Sequence, residues 1–296
     1  MIAAGKWRKG MVKHLLYRLY EGRLFEEVQG GELPRHIGLI LDGNRRYARA
    51  HGYSNILEGH RRGADKLEEV LNWCEELEIR MVTVWIFSTE NVSRSQEEVD
   101  GLLELIEKKM YEIALDPKVH RKRMRIRAIG KMELLPPSTV KAIKEAEEAT
   151  REYDGFFLNV AVGYGGRQEI ADAVAAMVRD KSEKSIPLDR IIDEISIDEI
   201  GKYLYTDDLP DPDLIIRTSG EVRLSGFLLW QSVYSEYYFC DAYWPVFRKI
   251  DFLRAIRSYQ QRERRFGGLE MSTAGCQVRR ARSAGVRRMA WRGSRG

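Results

Sequence analysis

The sequence predicts an α/β fold built on a mostly parallel central β-sheet flanked by helices. From Pro34 onward, short apolar or β-branched runs alternate with stretches of helical periodicity, the pattern of strands joined by crossover helices. A chain of 296 residues, 44% of them apolar, can bury a sizeable core, as one large domain or two small ones. Several of the strand-like runs end directly in polar loops, where parallel sheets collect their ligands.

The elements follow in order. Residues 13–28 belong to a row in which Val12, Leu16, Tyr20, Leu24 and Val28 lie four apart, with Leu15 and Leu19 beside them, which predicts an amphipathic helix. Its basic start, with Lys6, Arg8, Lys9, Lys13 and Arg18, leaves two readings: a terminal helix docked on the body, or an interfacial helix on anionic lipid. Residues 37–41 read as a strand. Residues 63–77 place Ala64, Leu67, Leu71, Cys74 and Leu77 at helical spacing, and 81–87 form a β-branched and aromatic strand. A helix over 99–115, a strand over 124–129, a charged helix over 138–153, a strand over 156–162, a helix over 168–178 and a strand over 214–216 complete the pattern.

The formal charge of +4 belongs to the end of the chain. Residues 269–296 hold seven arginines against Glu270 alone, a net +6, which leaves −2 for everything before them. A nucleic-acid partner would need a basic face on the body, and the count offers none. Cys74, Cys240 and Cys276 are isolated, with no C-x-x-C pair for zinc or redox chemistry. No apolar run approaches the roughly 18 residues of a membrane span, and no signal-peptide h-region is present, so the expectation is a cytoplasmic protein.

The first chemical constellation is Leu41-Asp42-Gly43-Asn44-Arg45-Arg46-Tyr47-Ala48-Arg49. A buried strand runs into a carboxylate, a glycine and then a helical pattern, so N–H groups and arginines can face an anion. Asp42 either N-caps the helix or holds a divalent cation that bridges to the anion. The loop Ser88-Thr89-Glu90-Asn91-Val92-Ser93-Arg94 offers donors for phosphate oxygens, or a capping turn before the next helix. Gly163-Tyr164-Gly165-Gly166-Arg167 again follows a strand, a weak signal alone. Arg217-Thr218-Ser219-Gly220-Glu221-Val222-Arg223-Leu224-Ser225 is richer in donors than a solvated loop needs and fits a second diphosphate-sized anion. Glu236 among aromatics is either a second metal-linked carboxylate or a paired structural one. Asp207-Asp208-Leu209-Pro210-Asp211 matches the D-D-x-x-D motif of all-helical isoprenoid synthases, but Pro210 and Pro212 forbid the helix that motif needs, so it reads as a loop.

The order of these motifs, with Gly59-His60-Arg61-Arg62-Gly63, Phe227-Leu-Leu-Trp-Gln231, Tyr243-Trp-Pro245 and Arg262-Glu-Arg-Arg-Phe-Gly-Gly268, resembles the cis-prenyltransferases, above all the undecaprenyl diphosphate synthase-like enzymes and their archaeal members. The resemblance spans about residues 33–268, and it implies one catalytic domain there, between an N-terminal helix (1–32) and a basic tail (269–296). It further implies a hydrophobic tunnel for a growing prenyl chain, with the 99–115 helix in its wall. The implied reaction is repeated Mg2+-dependent condensation of isopentenyl diphosphate onto an allylic prenyl diphosphate, each step making a cis double bond, toward a long-chain polyprenyl diphosphate for a glycosyl carrier lipid. Carried over by motif, Asp42 and Asn91 are catalytic. Gly43, Asn44, Arg45, Arg46, Tyr47, His60 and Arg94 surround the allylic diphosphate; Ser88, Thr89, Glu90, Arg217, Arg223, Leu224 and Ser225 complete the substrate set. Asp42 and Glu236 are the metal positions, and Glu236 and the Arg265-Phe-Gly267 end lie near the partner's site in a homodimer.

The sequence also departs from the bacterial pattern. The loop Tyr53-Ser54-Asn55-Ile56-Leu57-Glu58 lacks an arginine before Gly-His and is one residue longer. Val222 stands for a histidine, Val92 and Tyr47 for tryptophans and Gly163 for an asparagine. These changes bear on primer choice and product length. The alternative is a non-catalytic partner subunit of a heterodimeric synthase; such subunits lose the first-motif aspartate, and Asp42 is present.

Overall fold

Every strand expected from the sequence forms, and one more joins at an edge. The computed structural model describes residues 2–262, with side chains from residue 16 onward. In chain order the elements are α1 (Ile2–Gln29), β1 (His36–Ile40), α2 (Asn44–Ala50), α3 (Leu57–Glu76), β2 (Met81–Ser88), α4 (Gln96–Leu115), α5 (Pro117–Arg121), β3 (Met124–Ile129) and α6 (Pro137–Thr150). They continue with β4 (Phe156–Tyr164), α7 (Gly166–Glu183), α8 (Leu188–Asp193), α9 (Ile197–Gly201), β5 (Leu214–Arg217), β6 (Glu236–Phe239) and α10 (Lys249–Gln260). The described residues fall in one compact unit.

The six strands pair in parallel throughout, in the order β3-β4-β2-β1-β5-β6. The chain leaves β1 toward β2 on one side and leaves β5 toward β6 on the other. Connections that diverge between neighbouring strands leave a crevice at their carboxyl ends, so the fold itself points to the loops after β1 and β5.

The strands are apolar on both faces because both faces are covered. The pleat sends Ile37, Leu39, Val82, Val84, Leu158 and Val160 into a large core, and Ile40, Trp85, Ala161 and Ile215 into a smaller one that includes Tyr164 and Phe227. Among the described side chains of α1, Leu24 and Val28 in its last turns are buried in the large core, whereas Leu16, Tyr17, Leu19 and Tyr20 stay exposed. The predicted row of every fourth residue therefore closes on the body over half its length, with Gln260 Nε2 donating to the Val28 carbonyl at 2.7 Å. The side chains of the basic start up to Lys13, the Arg265–Gly267 end, Cys276 and the 269–296 tail lie outside the described residues.

Among the described residues no helix is long and apolar enough to cross a membrane. Cys74 and Cys240 are free and buried, and burial pushes both thiols up. The Asp207–Asp211 stretch is turn and loop, as its prolines require: Asp208 pairs with Arg127, and the Pro210 carbonyl accepts from His36 Nδ1 at 2.7 Å.

Candidate active site

Asp42 stands at the carboxyl end of β1, and its backbone is fixed from two directions. Its carbonyl accepts from Thr218 Oγ1 at 2.7 Å and from the Trp244 amide at 3.0 Å. The next residue must be glycine. Gly43 holds φ at +105°, and a Cβ there would lie 2.9 Å from Tyr243 Cδ1 and 3.0 Å from Ser219 Cβ. Gly43 also takes the N-cap position of α2, without a side-chain cap bond, so Asp42 does not cap the helix. Its carboxylate turns instead to Arg217 Nη2 at 2.8 Å and Arg46 Nη2 at 3.4 Å. Burial opposes its ionisation, but Arg217 and then Arg46 outweigh that and hold Asp42 below the usual carboxylate range.

Around Asp42 lies a cavity of about 280 Å3 lined by Leu41 to Arg46, Arg49, His60 and Arg94. Four arginines on one small cavity make an anion site. Glu98, in the first turn of α4, sits among them: its Oε1 accepts from Arg94 Nη1 at 2.9 Å, with Arg45 Nε at 3.3 Å and His60 Nε2 at 3.9 Å. His60 is pushed down to about 4, first by burial and then by the Arg94 and Arg45 charges, so it is neutral at physiological pH. Arg46 is braced by Ser219 Oγ at 2.5 Å and Glu221 Oε1 at 3.0 Å.

The elements reach this arrangement by close packing of α3 on α2. A Cβ at Gly59 would lie 2.1 Å from the Asn44 carbonyl oxygen and one at Gly63 2.5 Å from Asn44 Oδ1. The Gly59-His-Arg-Arg-Gly63 run is thus a contact surface that carries His60 into the cavity. Trp244 Nε1 donates to the Gly63 carbonyl at 2.7 Å and locks the same joint.

Arg217, the last residue of β5, is buried in the crevice. One arm reaches Asp42, while Nη1 donates to Ser225 Oγ at 2.9 Å and to the Arg223 carbonyl. Among the described residues, Asn44 Oδ1, Arg45 Nε, His60 Nε2 and Arg217 Nε are buried without a hydrogen-bond partner, four exceptions around one crevice. Ser88, Glu90, Asn91 and Arg94 face the same space, and Asn91 also serves its own turn, its Oδ1 accepting from the Ser88 amide at 3.0 Å. The loop is thus a capped turn whose polar side chains also line the cavity.

The anion site opens into an apolar cavity of about 790 Å3 between α3, α4 and the sheet, walled by Leu67, Leu71, Leu102, Leu105, Ile106 and Met110. Leu41, Asp42, Asn44, His60 and Arg94 line both spaces.

Five expected site residues stand apart. Tyr47 is buried on the far side of α2, its ring 4.0 Å from that of His51. Thr89 lies against Gly165, where an added Cβ would meet its Oγ1 at 2.7 Å. Leu224 packs with the smaller core. The Arg223 guanidinium pairs with Glu221 and is otherwise exposed. Glu236 begins β6, in register with Leu214 and so with Ile37, which places it toward the amino end of the sheet, away from Asp42 of the same chain; its partner is Arg262 Nη1 at 2.6 Å. Sequence reasoning missed Glu98; Arg49 and Trp244 stood inside quoted motifs without a role of their own, and the structure puts Arg49 on the arginine-lined cavity and Trp244 at the joint of α2 and α3.

One carboxylate beside a cationic pocket suits Mg2+, which binds through one or two carboxylates plus substrate phosphate oxygens and retained water. Asp42 fits that donor set, since it is anionic and 30% exposed at the junction of the two cavities.

Comparison with known proteins agrees with this geometry. The Prenyltransf family model, described as "Putative undecaprenyl diphosphate synthase", matches residues 40–267. The isoprenyl transferase of Deinococcus radiodurans is 54% identical over 249 residues, 84% of this chain and 90% of that protein. The tritrans,polycis-undecaprenyl-diphosphate synthase (geranylgeranyl-diphosphate specific) of Methanopyrus kandleri is 54% identical over 253 residues, 85% and 91% of the two chains. The solved structure of lavandulyl diphosphate synthase from Lavandula x intermedia, in complex with dimethylallyl diphosphate, matches with a TM-score of 0.72 at 34% identity, covering 79% of this chain and 98% of that one. A parallel sheet with its crevice at Asp42 and Arg217, an arginine-lined cavity opening on an apolar one, and these matches lead to one assignment: the chain belongs to the undecaprenyl diphosphate synthase family of cis-prenyltransferases, enzymes that transfer prenyl groups.

Proposed function

We propose that the enzyme condenses isopentenyl diphosphate repeatedly onto an allylic prenyl diphosphate with Mg2+, making a cis double bond at each step, toward a long-chain polyprenyl diphosphate for a glycosyl carrier lipid. The observation that carries this reading is the junction of the two cavities at Asp42 and His60. An amphiphile with a diphosphate head and a hydrocarbon tail needs an anion pocket continuous with an apolar one.

The allylic diphosphate takes the arginine-lined cavity, held by Gly43 and Asn44 and by Arg45, Arg46 and Arg94, with neutral His60 contributing a hydrogen bond. Isopentenyl diphosphate takes the crevice at Arg217 and Ser225, with Arg223 swinging from Glu221 to meet it and Asn91 and Ser88 facing its head. The allylic C–O bond breaks, C4 of isopentenyl diphosphate attacks the allylic carbon, and loss of a C2 proton to a diphosphate oxygen completes the new double bond. Arginines aimed at the leaving oxygens stabilise charge that grows only as that bond breaks. Mg2+ held at Asp42 would supply further neutralisation of the leaving diphosphate.

Glu236 lies on the edge strand away from its own Asp42, which supports its acting toward a second copy in a homodimer. The exposed Leu16, Tyr17, Leu19 and Tyr20 of α1 support peripheral contact with a lipid surface. Flotation with liposomes that is equal with and without residues 1–30 would reject the second of these.

The test is incubation with Mg2+, labelled isopentenyl diphosphate and, separately, C10, C15 and C20 allylic diphosphates, followed by sizing of the products. Elongation is expected with at least one primer, and Asp42→Ala should lower it by about 100-fold or more. No elongation with any primer, or full activity in Asp42→Ala, overturns the proposal.

A further inference from the structure

The apolar cavity ends in charge. Helices α3 and α4 both start at the anion site, with His60 and Glu98 in their first turns, and both run away from it along the cavity. From Glu98 to Lys109 is eleven residues of helix, about 17 Å at the helical rise. At that distance the lining changes from Leu105, Ile106 and Met110 to Glu68, Asn72, Lys109, Glu112 and Lys122. Glu68, Asn72 and Glu112 are exposed, so the cavity reaches the surface there.

Two lysines cross this distal opening. Lys109 Nζ, on α4, lies 3.1 Å from Glu68 Oε1 and 3.7 Å from Asp65 Oδ1 of α3, and 3.1 Å from Glu112 Oε2 of its own helix. Lys122 Nζ, just after α5, donates to Asn72 Oδ1 at 2.9 Å and pairs with Glu75, both on α3. Both lysine side chains are largely covered, at 24% and 23% exposure, while the acidic side chains they meet are 47–71% exposed.

We propose that Lys109 and Lys122 form an ion-pair gate across the distal mouth of the prenyl tunnel and thereby determine product length. This rests on the reading of the cavity as the tunnel. Within the apolar wall each added five-carbon unit gains burial. At the gate the advancing end meets two ammonium groups and must part their pairs to reach water, so further elongation slows against release. Exposed ion pairs are weak and screened by salt, so the gate is a soft limit and yields a spread of lengths.

The test sizes the products of the full-length enzyme. Lys109→Met combined with Lys122→Met should shift the distribution longer by one or more five-carbon units, with at least a threefold rise in the ratio of longer products to the wild-type principal product. Wild-type enzyme moved from about 0.05 M to about 0.5 M salt should shift the same way, and the double variant should respond less, because it keeps the carboxylates of Asp65, Glu68, Glu75 and Glu112 but no lysine pair for salt to weaken. Ile106→Trp, which fills the tunnel midway, should shorten the products. Each readout is a ratio among products, so partial loss of folded enzyme does not alter it, and the salt series needs no variant. Unchanged or shorter products in the lysine variant, alongside shortening by Ile106→Trp, overturn the gate alone. Unchanged products in Ile106→Trp overturn the tunnel reading and the gate with it.

Discussion

Arg217 and Gly43 show how narrowly the site is specified at single positions. Arg217 reaches Asp42, Ser225 and the Arg223 carbonyl at once because a guanidinium is a planar fork; a lysine at the end of a flexible stem is a point charge and cannot hold that geometry. Arg217→Lys should therefore cost about 100-fold or more in kcat/KM for prenyl transfer, roughly 2.7 kcal/mol, in steady-state assays with isopentenyl diphosphate varied. Gly43→Ala combines a left-handed backbone with a Cβ pressed on Tyr243 and Ser219. A loss of about 1–3 kcal/mol in urea denaturation is expected. At this scale the sequence was legible wherever a strand ran into a charged loop, as at Asp42 and Arg217. It was opaque at Glu98, because an Arg-x-x-x-Glu spacing on a helix usually marks a solvated pair, and only the arrival of α2 and α3 over Glu98 buries it.

Elements were legible in proportion to their length and periodicity. The strand at 124–129 and the long helices α3, α4 and α7 repeat their apolar residues often enough to be read alone. Strand β6 has four residues, all half-buried at an edge, and carries no alternation to read. Helix α10 was missed although Phe252, Leu253 and Ile256 are fully buried, since its pattern competes with the charges interleaved in it. The glycines of α3 make a prediction that belongs to the element. Gly59→Ala would place a methyl 2.1 Å from the Asn44 carbonyl and force α3 off α2. The expected outcome is a loss of about 1–3 kcal/mol in stability and a rise of at least tenfold in KM for the allylic diphosphate, measured together, because the same joint positions His60 and Asn44.

For the whole molecule, the parallel sheet separates chemistry from a second polar cluster near its amino end. There His36 is buried, with Nδ1–H donating to the Pro210 carbonyl and Nε2 accepting from Thr83, which in turn accepts from Asn159. Burial pushes His36 down to about 4. Between that value and the unfolded value near 6.5 the unfolded chain binds the extra proton, so stability falls as pH is lowered through this window, by up to about 3 kcal/mol. Thermal denaturation of His36→Gln should show a flatter acid limb than wild type; an unchanged limb would refute this origin. The network was hidden in the sequence because His36, Thr83 and Asn159 sit on three strands far apart in the chain, and only the register aligns them.

The branching of Arg217 has a thermodynamic consequence. One guanidinium faces both the Asp42 crevice and the Ser225 loop, so a ligand that draws on either arm changes the field left for the other. Two binding sites that share a counter-ion carry a coupling free energy, and that coupling is reciprocal: whatever factor the first diphosphate imposes on the second, the second returns to the first. Calorimetric titration of each substrate analogue, alone and with the other bound, should give the same factor in both directions, and Arg217→Lys should bring it toward one.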